Sequence, residues 1–125
     1  MATADPEVAA ALAQAERVVA PFIDSNPIAL ITKSYCPHSA NVKRIFKEVV
    51  GPDGFAYMDI DLRPDTELIQ EYMAVTTGAP TVPRSFISGQ FVGGDDEISA
   101  LYRSGQLRKI IEQVPVDVAA ADEAP

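Results

Sequence analysis

The spacing of hydrophobic residues changes along the chain, and each change predicts a helix or a strand. Residues 6–24 carry apolar side chains at helical spacing behind an Asp-Pro-Glu start that suits a helix N-terminus. The short apolar run 28–31 has β-branched ends and predicts a buried strand. After it, apolar residues recur at the spacing of one helix face: Val42, Ile45, Phe46 and Val49.

The pattern then predicts a second strand over residues 55–60, behind the turn Gly-Pro-Asp-Gly at 51–54. A strand, a helix and a strand in so short a stretch are typical of a parallel pair joined by a helical crossover. A third helix is predicted to open at Pro64 and to break at residues 76–80.

The last third of the chain predicts a hairpin followed by two helices. The hairpin strands are 84–88 and 91–92, with Gly89-Gln90 as the expected turn. A helix is expected after Gly94, and Gly105 is expected to end or kink it before a final helix that reaches Val114.

Composition indicates one domain, residues 1–114, and a disordered acidic tail at 115–125. The net charge of −8 argues against a nucleic-acid surface, which needs a basic face. No apolar run approaches the roughly 20 residues of a membrane span. The acidic N-terminus does not resemble a targeting sequence, and a single cysteine fits a reducing compartment, so we expect a cytoplasmic location.

Cys36, the only cysteine, lies at the predicted junction between the first strand and the second helix. Pro37 suits the first helical position because its missing N–H has no partner there. A helix N-terminus and a nearby cation such as Lys33 both favour a thiolate over a thiol, whose pKa is ordinarily about 8.5. An isolated cysteine is more often a small buried hydrophobic residue. The proline, the lysine and the junction together favour a reactive, partly exposed thiol.

The segment Cys36-Pro37-His38-Ser39 resembles the active site of glutaredoxins, in which a Cys-Pro-x-Cys sequence follows a strand. Ser39 stands where the second cysteine usually is, and His38 where a tyrosine is usual. Two more motifs of that family follow in order, Thr81-Val82-Pro83 and Gly93-Gly94. The resemblance implies an α/β thioredoxin/glutaredoxin fold, a four-stranded mixed sheet flanked by helices.

The resemblance also implies a glutathione site. Pro83 would follow a cis peptide bond, leaving the backbone of Val82 free to pair with glutathione as an added strand does. The helix start after Gly94 would hold the γ-glutamyl end, with Asp96 favoured over Asp95 as the contact for its amine. The glycine carboxylate would meet Lys33 and Gln70, although Gln70 is equally well explained as an exposed helix residue. The glutathione-binding candidates are Lys33, His38, Gln70, Thr81, Val82, Pro83, Gly94, Asp95 and Asp96.

The activity implied by the resemblance is glutathione-dependent thiol-disulfide exchange by a monothiol mechanism. Cys36 would remove glutathione from glutathionylated proteins or small mixed disulfides, and Pro37 and Ser39 would support it. The Ser39 hydroxyl is expected to bond the Cys36 sulfur, to cap the helix, or both. His38 is expected to serve as a wall of the groove, or to lower the pKa of the thiol. Arg84 is either a cation near the site or a solvated strand charge.

Two other functions stay open on the sequence. Glutaredoxins can bridge a [2Fe–2S] cluster between two subunits, and Cys36 would supply one thiolate per chain, so a dimer with external glutathione thiols would be needed. A binding domain without turnover is the third possibility, and the intact motifs argue against it. We therefore expect a monomer that carries no metal, and a dimer only if a cluster is bound.

Overall fold

The computed structural model describes residues 5–114, which form five α-helices and four strands. The predicted acidic tail lies outside these residues, as do residues 1–4. No helix among the described residues is both long and apolar enough to cross a membrane. The elements in chain order are α1 (Pro6–Ser25), β1 (Ile28–Thr32), α2 (Pro37–Val50), β2 (Ala56–Asp59), a 3₁₀ turn (Ile60–Leu62), α3 (Thr66–Thr77), β3 (Arg84–Ile87), β4 (Gln90–Gly93), α4 (Asp95–Ser104) and α5 (Gln106–Glu112).

The four strands form one mixed sheet in the order β2-β1-β3-β4, which confirms the predicted fold class. β1 pairs with β2 in parallel, with Leu30 opposite Tyr57, and it pairs with β3 antiparallel, with Leu30 opposite Ser85. β3 and β4 form the predicted antiparallel hairpin. Because β1 has a neighbouring strand on each side, the loop that follows its carboxyl end begins between these strands and not at an outer strand of the sheet.

The hydrophobic core lies on both faces of the sheet, and the alternation of side chains along β1 divides it. Ile28 and Leu30 join a cluster with α2, α4 and α5, while Ala29 and Ile31 join one with α1 and α3. Every residue of β1 is buried. A strand covered on both faces has a continuous apolar sequence, which explains why residues 28–31 show no alternation with polar residues.

Several predicted boundaries are wrong by a few residues. The second strand covers only Ala56–Asp59, because the chain tightens into the 3₁₀ turn at Ile60. The hairpin turn is Ser88-Gly89 rather than Gly89-Gln90, since Ser88 and Gly89 take φ of 53° and 79° and Gln90 already belongs to β4. Two positive φ values in a two-residue loop match the right-handed twist of the strands. Gly105 ends α4 in a left-handed conformation, as one of the two expectations had it.

We predict that Leu30→Ala lowers the free energy of unfolding by about 2–5 kcal/mol, because it opens a cavity in the central strand. Leu62→Ala is the matched control, since Leu62 is 73% exposed and Leu30 is 0% exposed. The control is expected to change stability by less than about 0.5 kcal/mol. Urea unfolding of the two variants measures the difference. Equal midpoints would contradict the assigned core.

Candidate active site

Cys36 lies at the N-cap of α2 with Pro37 at the first helical position, as the sequence predicts. The thiol is free and the residue is half-buried. The N-cap conformation is extended, and the side chain makes no capping hydrogen bond, so the first N–H groups of α2 are left to other partners. The single nucleophile of the chain therefore lies at the positive end of a 14-residue helix.

The loop before Cys36 is held at both of its ends. The Ser39 hydroxyl, fully buried, accepts the backbone N–H of Lys33 at 3.1 Å. This contact, which the sequence did not predict, folds the loop back onto α2, and a hydrogen bond from Ser39 to the Cys36 sulfur stays a prediction. Ser34 donates its N–H to Asp61 Oδ1 at 2.7 Å and its hydroxyl to Oδ2 at 2.5 Å. The side-chain hydrogen bond from Ser34 holds the pKa of Asp61 below its usual range.

The second motif forms a loop against the start of β3. The Val82–Pro83 peptide bond is cis, which confirms the expectation from the resemblance. The Val82 N–H and C=O take no part in the backbone hydrogen bonds of the described residues. Arg84 donates to the Thr81 carbonyl at 2.7 Å and to the Thr81 hydroxyl at 2.9 Å. Gln70 donates to the Pro80 carbonyl at 3.1 Å, so its amide braces this loop.

The third motif brings the N-terminus of α4 against that loop. Gly93 has a φ of 130°, and a Cβ there would lie 2.4 Å from the Cβ of Glu97. A Cβ on Gly94 would lie 3.1 Å from the Pro83 carbonyl oxygen. Position 93 therefore requires glycine, and a side chain at position 94 would press on the carbonyl oxygen of Pro83. Glu97, which the sequence analysis did not single out, accepts the Gly94 N–H at 2.8 Å.

A cleft of about 310 Å³ opens between these elements. Its lining includes seven of the predicted site residues as well as Arg84 and Glu97. Three other predicted site residues, Cys36, Lys33 and Gln70, are not part of the lining. The lining residues are His38, Thr81, Val82, Pro83, Arg84, Gly94, Asp95, Asp96 and Glu97.

A contact between two of the predicted residues was not foreseen. His38 Nδ1 lies 2.6 Å from Asp95 Oδ2, although the two are far apart in sequence. Asp95 Oδ1 also accepts Asn41 Nδ2 at 2.8 Å and the Ser99 hydroxyl at 3.1 Å. Burial alone would raise the pKa of Asp95, but the hydrogen bonds from Asn41, His38 and Ser99 outweigh it and lower the pKa. Asp95 is thus an internal carboxylate, whereas the exposed Asp96 beside it has no side-chain partner among the described residues.

The cleft offers complementary groups for a small peptide with charged ends. The N–H groups at the start of α4 suit a carboxylate, and Asp96 suits an ammonium group. The backbone of Val82 can pair with an extended chain. Within residues 5–114, no group of three or more His, Cys, Asp or Glu side chains is arranged to hold a metal ion.

Comparison with known proteins shows the family of the chain. The Glutaredoxin family model matches residues 28–92. Monothiol glutaredoxin-S6 of Oryza sativa subsp. japonica is 38% identical over 111 residues, which are 89% of this chain and 82% of that protein. Glutaredoxin-1 of Rhizophagus irregularis is 35% identical over 100 residues, 80% of this chain and 97% of that protein.

Solved structures agree as well. The buckwheat glutaredoxin–glutathione complex has a TM-score of 0.76 at 28% identity and covers 82% of this chain and 92% of that one. Oxidized glutaredoxin 2 from Chlamydomonas reinhardtii has a TM-score of 0.77 at 27% identity, and the match covers 82% of this chain and 94% of that one. The sheet, the cis proline and the cysteine at a helix start define a thioredoxin-fold redox protein. More narrowly, the chain belongs to the glutaredoxin family, whose members are thiol oxidoreductases.

We predict that Asp95→Asn lowers the free energy of unfolding at pH 7 by about 1–3 kcal/mol, because charge-assisted hydrogen bonds are lost. The pKa of Asp95 is lowered in the folded protein, so its carboxylate adds stability above the unfolded value of about 3.9. That contribution disappears as the pH falls through the folded pKa. The deficit of the variant should therefore shrink at low pH.

Asp96→Asn is the matched control for this measurement. It removes the same charge from the same first turn of α4, so both variants lose a similar interaction with the helix dipole. Urea unfolding from pH 7 down to pH 3 compares them. A deficit of Asp95→Asn that equals the control at every pH would contradict the assigned hydrogen bonds.

Proposed function

We propose that the protein is a glutathione-dependent thiol-disulfide oxidoreductase that works by a monothiol mechanism through Cys36. The observation that carries this proposal is a single half-buried cysteine at the start of α2, in a family of thiol oxidoreductases, near a cleft that suits glutathione. The chain has no second cysteine, so an intramolecular disulfide cannot form.

The cleft supports a particular orientation of glutathione. The γ-glutamyl end carries both a carboxylate and an amine, which suit the first N–H groups of α4 and the free carboxylate of Asp96. The cysteinyl backbone would pair with Val82, whose own backbone groups are unused by other described residues. The glycine carboxylate would extend toward Lys33. Gln70 is assigned to bracing the Pro80 loop, and its contact with glutathione remains a prediction.

The exchange needs one protein thiol and two glutathione groups. Cys36 thiolate attacks the glutathione sulfur of a mixed disulfide, a new S–S bond forms, and the substrate leaves as a thiolate. A second glutathione thiolate then attacks the bound glutathione sulfur, which releases oxidised glutathione and returns Cys36 as a thiolate. In the net exchange, the mixed disulfide and one glutathione thiol become the substrate thiol and oxidised glutathione.

The proposed partners are glutathionylated proteins and small mixed disulfides. We propose that the protein acts on them as a monomer in the cytoplasm. Binding of a [2Fe–2S] cluster through the single thiolate of each chain ranks second, because Pro37 after Cys36 resembles the catalytic glutaredoxins more than the cluster carriers. Such a cluster would need a second chain and external thiols. The absorption spectrum of protein purified without air tests it, since a coloured dimer that depends on glutathione would reverse this order.

We predict that Cys36→Ser reduces turnover of a glutathione mixed disulfide to the uncatalysed rate, because serine cannot form the mixed disulfide. The measurement is glutathione-coupled reduction of a small glutathionylated thiol and of a glutathionylated protein. The control is the unfolding midpoint of the variant, which should equal or exceed that of the unchanged protein, because Cys36 makes no side-chain cap and a serine there can add one. Residual turnover comparable to the unchanged protein would refute the proposal.

We also predict that Asp96→Asn raises KM for the mixed disulfide by about 10- to 100-fold, because a charge-assisted hydrogen bond to the amine is worth about 1.5–3 kcal/mol. The value of kcat should stay within about twofold, since the amine is remote from the exchanging sulfurs. Asp53→Asn is the control: it removes an equal charge from an exposed turn beyond the far end of α2. An unchanged KM in Asp96→Asn would place the γ-glutamyl end elsewhere.

A further inference from the structure

We propose that His38, oriented by Asp95, accepts and donates the protons that glutathione and substrate thiols exchange during turnover. The inference rests on the proposed function and gives a role to a pair that this function does not use. His38 is two residues after Cys36 and forms part of the cleft wall. An imidazole is the side chain best suited to move protons near neutral pH.

The orientation of the imidazole is set by a carboxylate that is itself fixed. Asp95 is 17% exposed, and Asn41 and Ser99 both bond its Oδ1. Its Oδ2 is therefore directed to His38 Nδ1 at 2.6 Å. A carboxylate that holds one ring nitrogen of a histidine and leaves the other nitrogen available is the arrangement by which enzymes orient a general base.

The contact also decides which ring nitrogen carries the proton. The hydrogen bonds that lower the pKa of Asp95 keep it a carboxylate, which can only accept. His38 Nδ1 must then be the donor, and in a neutral ring Nε2 bears the lone pair. No hydrogen bond to Nε2 is formed within residues 5–114, and the side chain is 68% exposed. Nε2 is thus open to a thiol that approaches the cleft.

Over one turnover, His38 Nε2 releases one proton and takes up one proton. When Cys36 attacks the mixed disulfide, the departing substrate thiolate takes the proton of a protonated Nε2. When the second glutathione arrives, its S–H bond breaks, Nε2 takes the proton, and the sulfur electron pair attacks the glutathione sulfur bound to Cys36. Cys36 leaves as a thiolate, and the imidazole is again protonated for the next cycle.

Charged groups from three elements surround this histidine. Asp95, Asp96 and Glu97 face the cleft from α4, Arg84 faces it from β3, and Lys33 precedes α2. Carboxylic acids ordinarily titrate below pH 6, and lysine and arginine above pH 9.

His38→Asn tests the proposal, because the asparagine amide can still donate to Asp95 but cannot carry a proton. Stopped-flow mixing of Cys36-glutathionylated protein with glutathione, from pH 6.5 to 9, isolates the step that begins with a thiol. A thiol with a pKa of about 8.5 is about 3% ionised at pH 7, so we expect a loss of roughly 3- to 30-fold there. The ratio to the unchanged protein should approach one by about pH 9, where thiols ionise unaided.

Two further measurements separate this role from a structural one. His38→Ala should lose rate at pH 7 and regain part of it when free imidazole is added. Asp53→Asn, which is far from the cleft, should follow the unchanged protein at every pH. If His38→Asn loses the same factor in rate at all pH values, or loses none, the proposal is overturned and His38 serves only as part of the cleft wall.

The failure of this inference is distinguishable from the failure of the proposed function. If the unchanged protein does not turn over mixed disulfides, the proposed function is refuted. If it does, while His38→Asn matches it from pH 6.5 to 9, only the role of His38 is refuted. The unfolding midpoint of His38→Asn shows whether a loss of rate comes from misfolding. If it does, the rescue of His38→Ala by free imidazole decides whether His38 transfers protons.

Discussion

The carboxylate of Asp95 joins the start of α2 to the start of α4, and the shape of the cleft depends on this link. Its hydrogen bonds reach His38 and Asn41 on one helix and Ser99 on its own helix. Both helices present their N-termini to the same space, which concentrates unpaired N–H groups there. A carboxylate between two such ends is stabilised by both helix dipoles as well as by its donors, so burial does not prevent its ionisation.

The opposite wall is positioned mainly by contacts of the backbone. The cis Val82–Pro83 bond and the glycine at position 94 lie against each other, and a Cβ on Gly94 would lie only 3.1 Å from the Pro83 carbonyl oxygen. On the cysteine side, Ser39 and Asp61 hold the loop that precedes Cys36. The residues that fix the cleft bind one another, which leaves Asp96 and the Val82 backbone free to meet a ligand.

The order of helices and strands could be predicted from the sequence because hydrophobic spacing follows burial directly. Element ends could not, since they depend on local turns such as the positive φ of Ser88 and the 3₁₀ turn at Ile60. The site motifs could be found because each is contiguous. The role of Ser39 was missed because its partner is the Lys33 backbone, and no residue pattern marks a backbone acceptor or donor.

The His38–Asp95 contact could not be predicted from the motifs taken one at a time. Histidine after a Cys-Pro pair is explained as a groove wall, and aspartate after two glycines as a helix start, so neither suggests the other. Their contact joins the starts of two helices that are far apart in sequence, so it becomes visible only in the folded chain. Asn41 and Ser99 both bond Oδ1, which leaves Oδ2 to the histidine. The fixed carboxylate thus sets the orientation of the imidazole, which ties the chemistry of position 38 to the residue at position 95.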